Sequence, residues 1–199
     1  MRKRAGLPKA AAAAAILSAL PLSGAVAQDR QPPPEIAEKL ALCVTCHGEN
    51  GVPVVDKAPV LFGQEMFYLL VQLRDYRAGR RANETMSPIA KELSDAEMKG
   101  LATYFSEQKW PRIEATAEVG DAAKAERLAV EGQCSQCHLS GFVGNSRVPR
   151  VSNQKPDYLG QTMSDFRDDR RKNAPAMAAI VKGWSDDDIA AMARYLATL

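Results

Sequence analysis

All four cysteines and both histidines of this 199-residue chain fall in two pentapeptides, Cys43-Val44-Thr45-Cys46-His47 and Cys134-Ser135-Gln136-Cys137-His138. No cysteine or histidine is left for any other purpose, and the two copies imply a duplicated architecture. The halves repeat at an offset of 91 around the motifs, and at 90 in the middle, where Pro59, Gln64, Tyr68, Leu69, Arg77, Arg80, Arg81 and Asn83 fall on Pro149, Gln154, Tyr158, Leu159, Arg167, Arg170, Arg171 and Asn173. The offset then returns to 91, so that Met86, Ile89, Ser94, Asp95 and Tyr104 fall on Met177, Ile180, Ser185, Asp186 and Tyr195.

Cys-x-x-Cys-His has a mechanical meaning. Two thiols one helical turn apart can add to the two vinyl groups on one edge of haem, and the adjacent histidine reaches the iron from one face. A zinc site would want a fourth nitrogen, sulfur or carboxylate ligand, and no histidine or cysteine remains to supply it. A redox dithiol of the thioredoxin type would want alternating strands and helices, which the pattern lacks. Two covalently attached haems c are therefore expected, anchored at Cys43/Cys46 and Cys134/Cys137, with His47 and His138 as proximal iron ligands.

The sixth ligand has to come from elsewhere, and methionine suits an electron-transfer site. Beyond the leader the chain has Met66, Met86, Met98, Met163, Met177 and Met192. Most methionines are core filler. The repeat separates the cases: Met66 falls on Pro156, Met163 on Leu73, Met98 on Ile189 and Met192 on Leu101, so those positions read as packing. Only Met86 and Met177 match each other, each 39 residues after its histidine, in what reads as a loop between helices. They are the expected axial partners. Pro59 and Pro149 are candidates to accept the second ring N–H of each histidine, or else merely direct a loop. The clusters Arg77/Arg80/Arg81 and Arg167/Arg170/Arg171 end a long helix, where positive charge complements the helix dipole. That solvated reading is favoured over pairing with haem propionates or docking an acidic partner.

The rest of the chain reads as helix. Pro32–Pro34 starts one that continues from Glu35 to Cys46, and Gln64 to Arg81 carries Leu69, Leu73 and Tyr76 on one face. Ser94-Asp95-Ala96-Glu97 is a capping box, and Ser185 is followed by three aspartates. Tyr104 and Tyr195, on the last helices, are paired with the small Ala41 and Gly132 as a close helix crossing. No run alternates with a two-residue period, so the fold class is all-α. Gln108 to Gly120, with Trp110-Pro111, marks a boundary. It gives a first domain at 28–113 and a second at 114–199, each small for an unaided core and completed by a buried haem.

Residues 1–27 read as a secretory signal peptide: Arg2, Lys3, Arg4 and Lys9, an apolar run from Ala10 to Leu22, and Ala25-Val26-Ala27 before the cleavage point. The location expected is the periplasm. Four of the 26 basic residues and none of the 24 acidic ones lie in that leader, so the remainder has a formal charge of −2. Nucleic acid is not an expected partner, because phosphate binding wants a basic face.

These residues resemble a known family, the di-haem class I cytochromes c, most nearly the cytochrome c4 family. The resemblance is carried by the first motif with Gly48, by Gly51, Pro59-Val60-Leu61, Gly63-Gln64, Tyr68, Leu73, Tyr76-Arg77-Ala78-Gly79 and Met86, and on through Leu93-Ser94-Asp95 to Tyr104-Phe105. It spans residues 33–199 and implies two tandem class I cytochrome c domains, each wrapping one haem, with His47/Met86 and His138/Met177 as axial pairs. The second half departs at Leu139, which stands where glycine follows the first histidine, and at Val151-Ser152-Asn153, which replaces Leu-x-Gly.

The leading functional expectation is an electron carrier between respiratory or dehydrogenase donors and a terminal acceptor, with redox proteins as its partners. An alternative is the haem-bearing subunit of an oxidoreductase complex, such as a flavocytochrome sulfide dehydrogenase, bound to a flavoprotein or a membrane-bound respiratory complex. A di-haem peroxidase is a third class. It would need an open iron position, against which two matched methionines argue.

Overall fold

A computed structural model describes residues 32–199; the expected leader lies outside the described residues. Among the described residues nine α-helices run in chain order: α1 (Ala37–His47), α2 (Met66–Arg77), α3 (Met86–Lys91), α4 (Asp95–Glu107), α5 (Asp121–Glu131), α6 (Cys134–His138), α7 (Pro156–Arg167), α8 (Pro175–Val181) and α9 (Asp186–Thr198). Short 3₁₀ turns at Pro34–Ile36 and Ser140–Phe142 complete the set. No strand forms among these residues, only isolated bridges joining Arg81 to Arg171 and Asn145 to Val148. The all-α expectation is met.

Two hydrophobic clusters form. Ile36, Leu40, Leu69, Leu70, Met98, Leu101 and Phe105 centre the first. Ala125, Leu128, Leu159, Met163, Ile189, Met192 and Leu196 centre the second. Met98, Met163 and Met192 are buried members and Met66 packs at the edge, as their mismatched repeat positions imply. α2 lies on α4 in the first half, and α7 and α5 lie on α9 in the second. α4 and α9 both start at full capping boxes, Ser94 with Glu97 and Ser185 with Asp188. Each closes two otherwise orphaned backbone donors.

Several local expectations need correction. The second helix ends at Arg77, because Ala78 caps it and Gly79 turns left-handed at φ 74°. Arg80 and Arg81 therefore lie beyond it. Met86 opens α3 and Met177 lies in the first turn of α8, so both sit on short helices and not in irregular loops. The expected crossing in the first half is not at Ala41, which is exposed; in the second, a side chain at Gly132 would meet Ile180 of α8 at 3.0 Å. The close approach in the first half is instead at Gly100, where a Cβ would stand 2.7 Å from Ile36.

The halves also differ before their motifs. α1 runs unbroken through Cys43, Cys46 and His47. In the second half α5 stops at Glu131, Gln133 turns left-handed at φ 52°, and α6 restarts at Cys134.

Candidate functional site

The first pentapeptide ends α1, and the second forms the whole of the short α6. Three-residue spacing on a helix puts both thiols on one face, and none of the four cysteines is in a disulfide. Burial pushes the Cys43 thiol up to about 11 and raises that of Cys134 as well. Redox-active dithiols instead work by a lowered thiol pKa, the opposite direction. Among the described residues no group of three or more Cys, His, Asp or Glu side chains could hold a metal ion.

The histidines are buried, with 7% of His47 and 8% of His138 exposed. Nδ1 of His47 lies 2.8 Å from the Pro59 carbonyl oxygen, and Nδ1 of His138 lies 2.9 Å from that of Pro149. A carbonyl only accepts, so Nδ1 carries the proton and Nε2 keeps its lone pair. Burial further lowers both imidazole pKa values, which keeps the rings neutral. A carbonyl placed in this way fixes the tautomer and orientation of a metal-binding imidazole, and the proline expectation is met in both halves.

Met86 and Cys43 both pack against the first cluster, and Met177 against the second. A cavity of about 460 Å³ opens between α1 and α3, lined by Leu42, Cys43, Pro88, Ile89 and Leu93. It separates the anchoring helix from the helix that begins at Met86. A larger groove of about 700 Å³, lined by Lys57, Glu114, Asp157, Gln161 and Arg194 among others, holds no cysteine, histidine or methionine. The chemistry favours the smaller one. Thiol pairs, tied neutral imidazoles and thioethers packed on the same cores form a donor set that fits haem c, whose bound iron supplies one-electron oxidation and reduction.

The turn after each histidine differs between the halves. Gly48 is left-handed at φ 85°, and a Cβ there would stand 2.0 Å from the Val52 carbonyl oxygen, so only glycine fits. Leu139 takes the matching place at φ 63°, ψ 174°, a region almost reserved for glycine. The loop that follows then folds back, with Val151 and Ser152 both donating to the Phe142 carbonyl.

The arginine clusters divide. Arg77 pairs with Asp95, Arg80 with Asp75, Arg167 with Asp168 and Asp186, and Arg170 with Asp165 and Asp168. These are ion pairs at helix ends, as the solvated reading expects. Arg81 and Arg171 are different: they are 9% and 6% exposed and meet where the halves join. Arg81 donates to Gln72 and to the Tyr158 hydroxyl, and Arg171 to Gln72, Asn173 and the Tyr68 hydroxyl. Their guanidinium groups also lie over the Tyr76 and Phe166 rings. Neither has a carboxylate partner among the described residues. Burial opposes ionisation of Tyr158, yet the two guanidinium groups outweigh it and hold that phenol below the ordinary tyrosine value.

Sequence reasoning missed the residues that join the halves. Gln64 and Gln154, 3% and 2% exposed, cross in opposite directions. Gln64 brackets Arg150, accepting from its N–H and donating to its carbonyl, and Gln154 does the same to Val60. The signal was available, since both glutamines are matched in the repeat beside Tyr68 and Tyr158.

The comparisons agree with this geometry. The family described as cytochrome C oxidase, cbb3-type, subunit III matches residues 120–196. Cytochrome c4 of Thiocapsa roseopersicina is 38% identical over 172 residues, covering 80% of this chain and 88% of the relative. A thiosulfate dehydrogenase electron acceptor of Stutzerimonas stutzeri is 34% identical over 172 residues, covering 79% and 78%. The crystal structure of reduced recombinant cytochrome c4 from Pseudomonas stutzeri superposes with a TM-score of 0.73 at 30% identity, covering 81% of this chain and 95% of that one. The chain thus belongs to the cytochrome c4 family, and it is a di-haem c-type cytochrome that carries electrons.

Proposed function

We propose that residues 28–113 and 114–199 each bind one haem, through Cys43/Cys46 and Cys134/Cys137, with His47/Met86 and His138/Met177 as the axial pairs. The observation that carries this reading is the pair of buried imidazoles whose Nδ1 protons are committed to Pro59 and Pro149. With Nδ1 committed, each ring has one nitrogen lone pair to offer. The methionines packed on the same clusters supply thioethers. Arg81 and Arg171 would be available to pair with haem carboxylates. Two buried cations with only neutral partners call for an anion, because unpaired buried charge is costly.

The proposed setting is the periplasm, reached by cleavage after Ala27. No described helix is long and apolar enough to cross a membrane. The chain relays electrons between a dehydrogenase or respiratory donor and a terminal acceptor. Relatives named as thiosulfate dehydrogenase electron acceptors favour an oxidoreductase as the donor. The test is purification of the native protein from its source, with a pyridine haemochrome assay and size analysis. Two haems per chain that survive acid–acetone extraction are expected. One haem, or extractable haem, defeats the assignment. A co-purifying dehydrogenase makes the chain a bound subunit and a lone chain makes it a free shuttle.

A further inference from the structure

The two halves do not hold their methionines in the same way. In the first half Asn83 caps the turn that begins α3. Its side-chain oxygen accepts from the Met86 N–H at 2.8 Å and the Thr85 N–H at 3.0 Å, while Ser87 returns two bonds to the Asn83 backbone. Met86 is thus fixed by its own half.

Asn173 is the matched residue, but its side chain points elsewhere. Its amide donates across the junction to Gln72 Oε1 at 3.0 Å and Asp75 Oδ2 at 2.7 Å, and its oxygen accepts from Arg171 Nε at 3.0 Å. It caps no N–H of α8, which opens with Pro175 and so has no donor there. The one residue by which the repeat slips lies between Asn173 and Met177. Proline stiffens this short link, and Ala178 closes back on Ala174 at 3.2 Å. The position of Asn173 therefore reaches Met177 through few soft torsions.

The asymmetry originates in Gln72. Its buried oxygen is the focus of three donors, Arg81, Arg171 and Asn173, at 2.8, 2.8 and 3.0 Å. The matched position in the second half is Thr162, which is too short to play that part. Asp165, matched to Asp75, is satisfied within its own half by Gln161 and Arg170. Among the described residues no reciprocal tie runs from the second half to the Asn83 side chain.

We propose that Gln72 and Asp75 are positioning residues for Met177, acting through Asn173, so that the junction sets the sixth-ligand geometry of the second site and leaves the first untouched. This rests on the reading of Met86 and Met177 as axial ligands. An electron carrier gains from it a potential at one site that responds to how its halves dock.

The test uses the ferrous holoprotein and proton NMR. An axial methionine methyl lies over the porphyrin ring and is shifted well outside the ordinary methyl range. Wild type should show two such signals, one lost in Met86→Ala and the other in Met177→Ala. Fewer than two, or a signal that survives its own substitution, overturns the axial reading and this proposal with it. With both assigned, Gln72→Thr and Asn173→Ala should displace the Met177 signal alone, and Asn83→Ala the Met86 signal alone. In potentiometric titration, Asn173→Ala should move the second site by up to about tenfold in its one-electron equilibrium, or ~59 mV. If Gln72→Thr displaces the Met86 signal, or displaces neither, the positioning role is wrong while the axial reading stands. If Gln72→Thr does not accumulate, Asn173→Ala against Asn83→Ala decides the matter: a Met177 signal unmoved by Asn173→Ala overturns the proposal.

Discussion

A methionine is among the least informative residues in a sequence, since its flexible thioether fills gaps anywhere. Here duplication singles out Met86 and Met177 as the proposed ligands: a packing position tolerates Leu73 opposite Met163, and a ligand position would not. Met86→Ala and Met177→Ala should each keep both haems attached and each remove half of the sulfur-to-iron charge-transfer band of the ferric spectrum. Retention of the whole band by either variant would assign that methionine to packing. The same comparison hid Gln72, because a residue opposite Thr162 looks unmatched and so unimportant. Leu139 was legible as a departure from glycine, but its strain was not. Its side chain is 37% exposed and holds little packing, while its backbone sits where non-glycine residues cost about 1–3 kcal/mol. Leu139→Gly should therefore raise the stability of the holoprotein by about 1 kcal/mol, seen as a higher denaturant midpoint with an unchanged slope.

The long helices could be read from periodicity and caps, because a buried stripe and a Ser-x-x-Glu start are local properties of the chain. α3 and α8 could not, being six and seven residues long and interrupted or opened by proline. Nor could the break between α5 and α6, which depends on Gln133 accepting a left-handed backbone. The α5–α9 contact adds a pH-dependent tie. Asp121, 5% exposed, accepts from Arg194 Nε at 2.7 Å and Nη2 at 2.9 Å. Those bonds hold its carboxyl below the ordinary aspartate value. A depressed folded pKa means the stabilisation is complete above the unfolded value, near 3.9. It is lost as pH falls through the lower folded value. Asp121→Asn should therefore lower the urea midpoint at neutral pH and shrink the difference from wild type as pH falls below about 4. An undiminished difference at acid pH would refute the linkage.

At the scale of the whole molecule, the duplication was evident from the two motifs, but the docking of the halves was not, because polar residues that join two copies look like solvated ones until their partners are known. Gln64 and Gln154 are the decisive pair. Each bonds both the N–H and the C=O of one residue in the other half, reproducing a strand-like pairing with a single side chain. Val60 is 1% exposed, so truncation of Gln154 would leave two backbone groups of a buried residue without partners. Each such group costs about 1–3 kcal/mol. Gln154→Ala with Gln64→Ala should therefore uncouple the halves. Calorimetry of the wild-type holoprotein should give one cooperative transition, and the double variant two, with both haems still attached. Since Gln154 binds Val60, next to Pro59, the single Gln154→Ala variant should also loosen the His47 acceptor and broaden the first site's spectrum before the second's. A double variant that still melts as one unit would place the coupling in the Arg81–Gln72–Arg171 cluster.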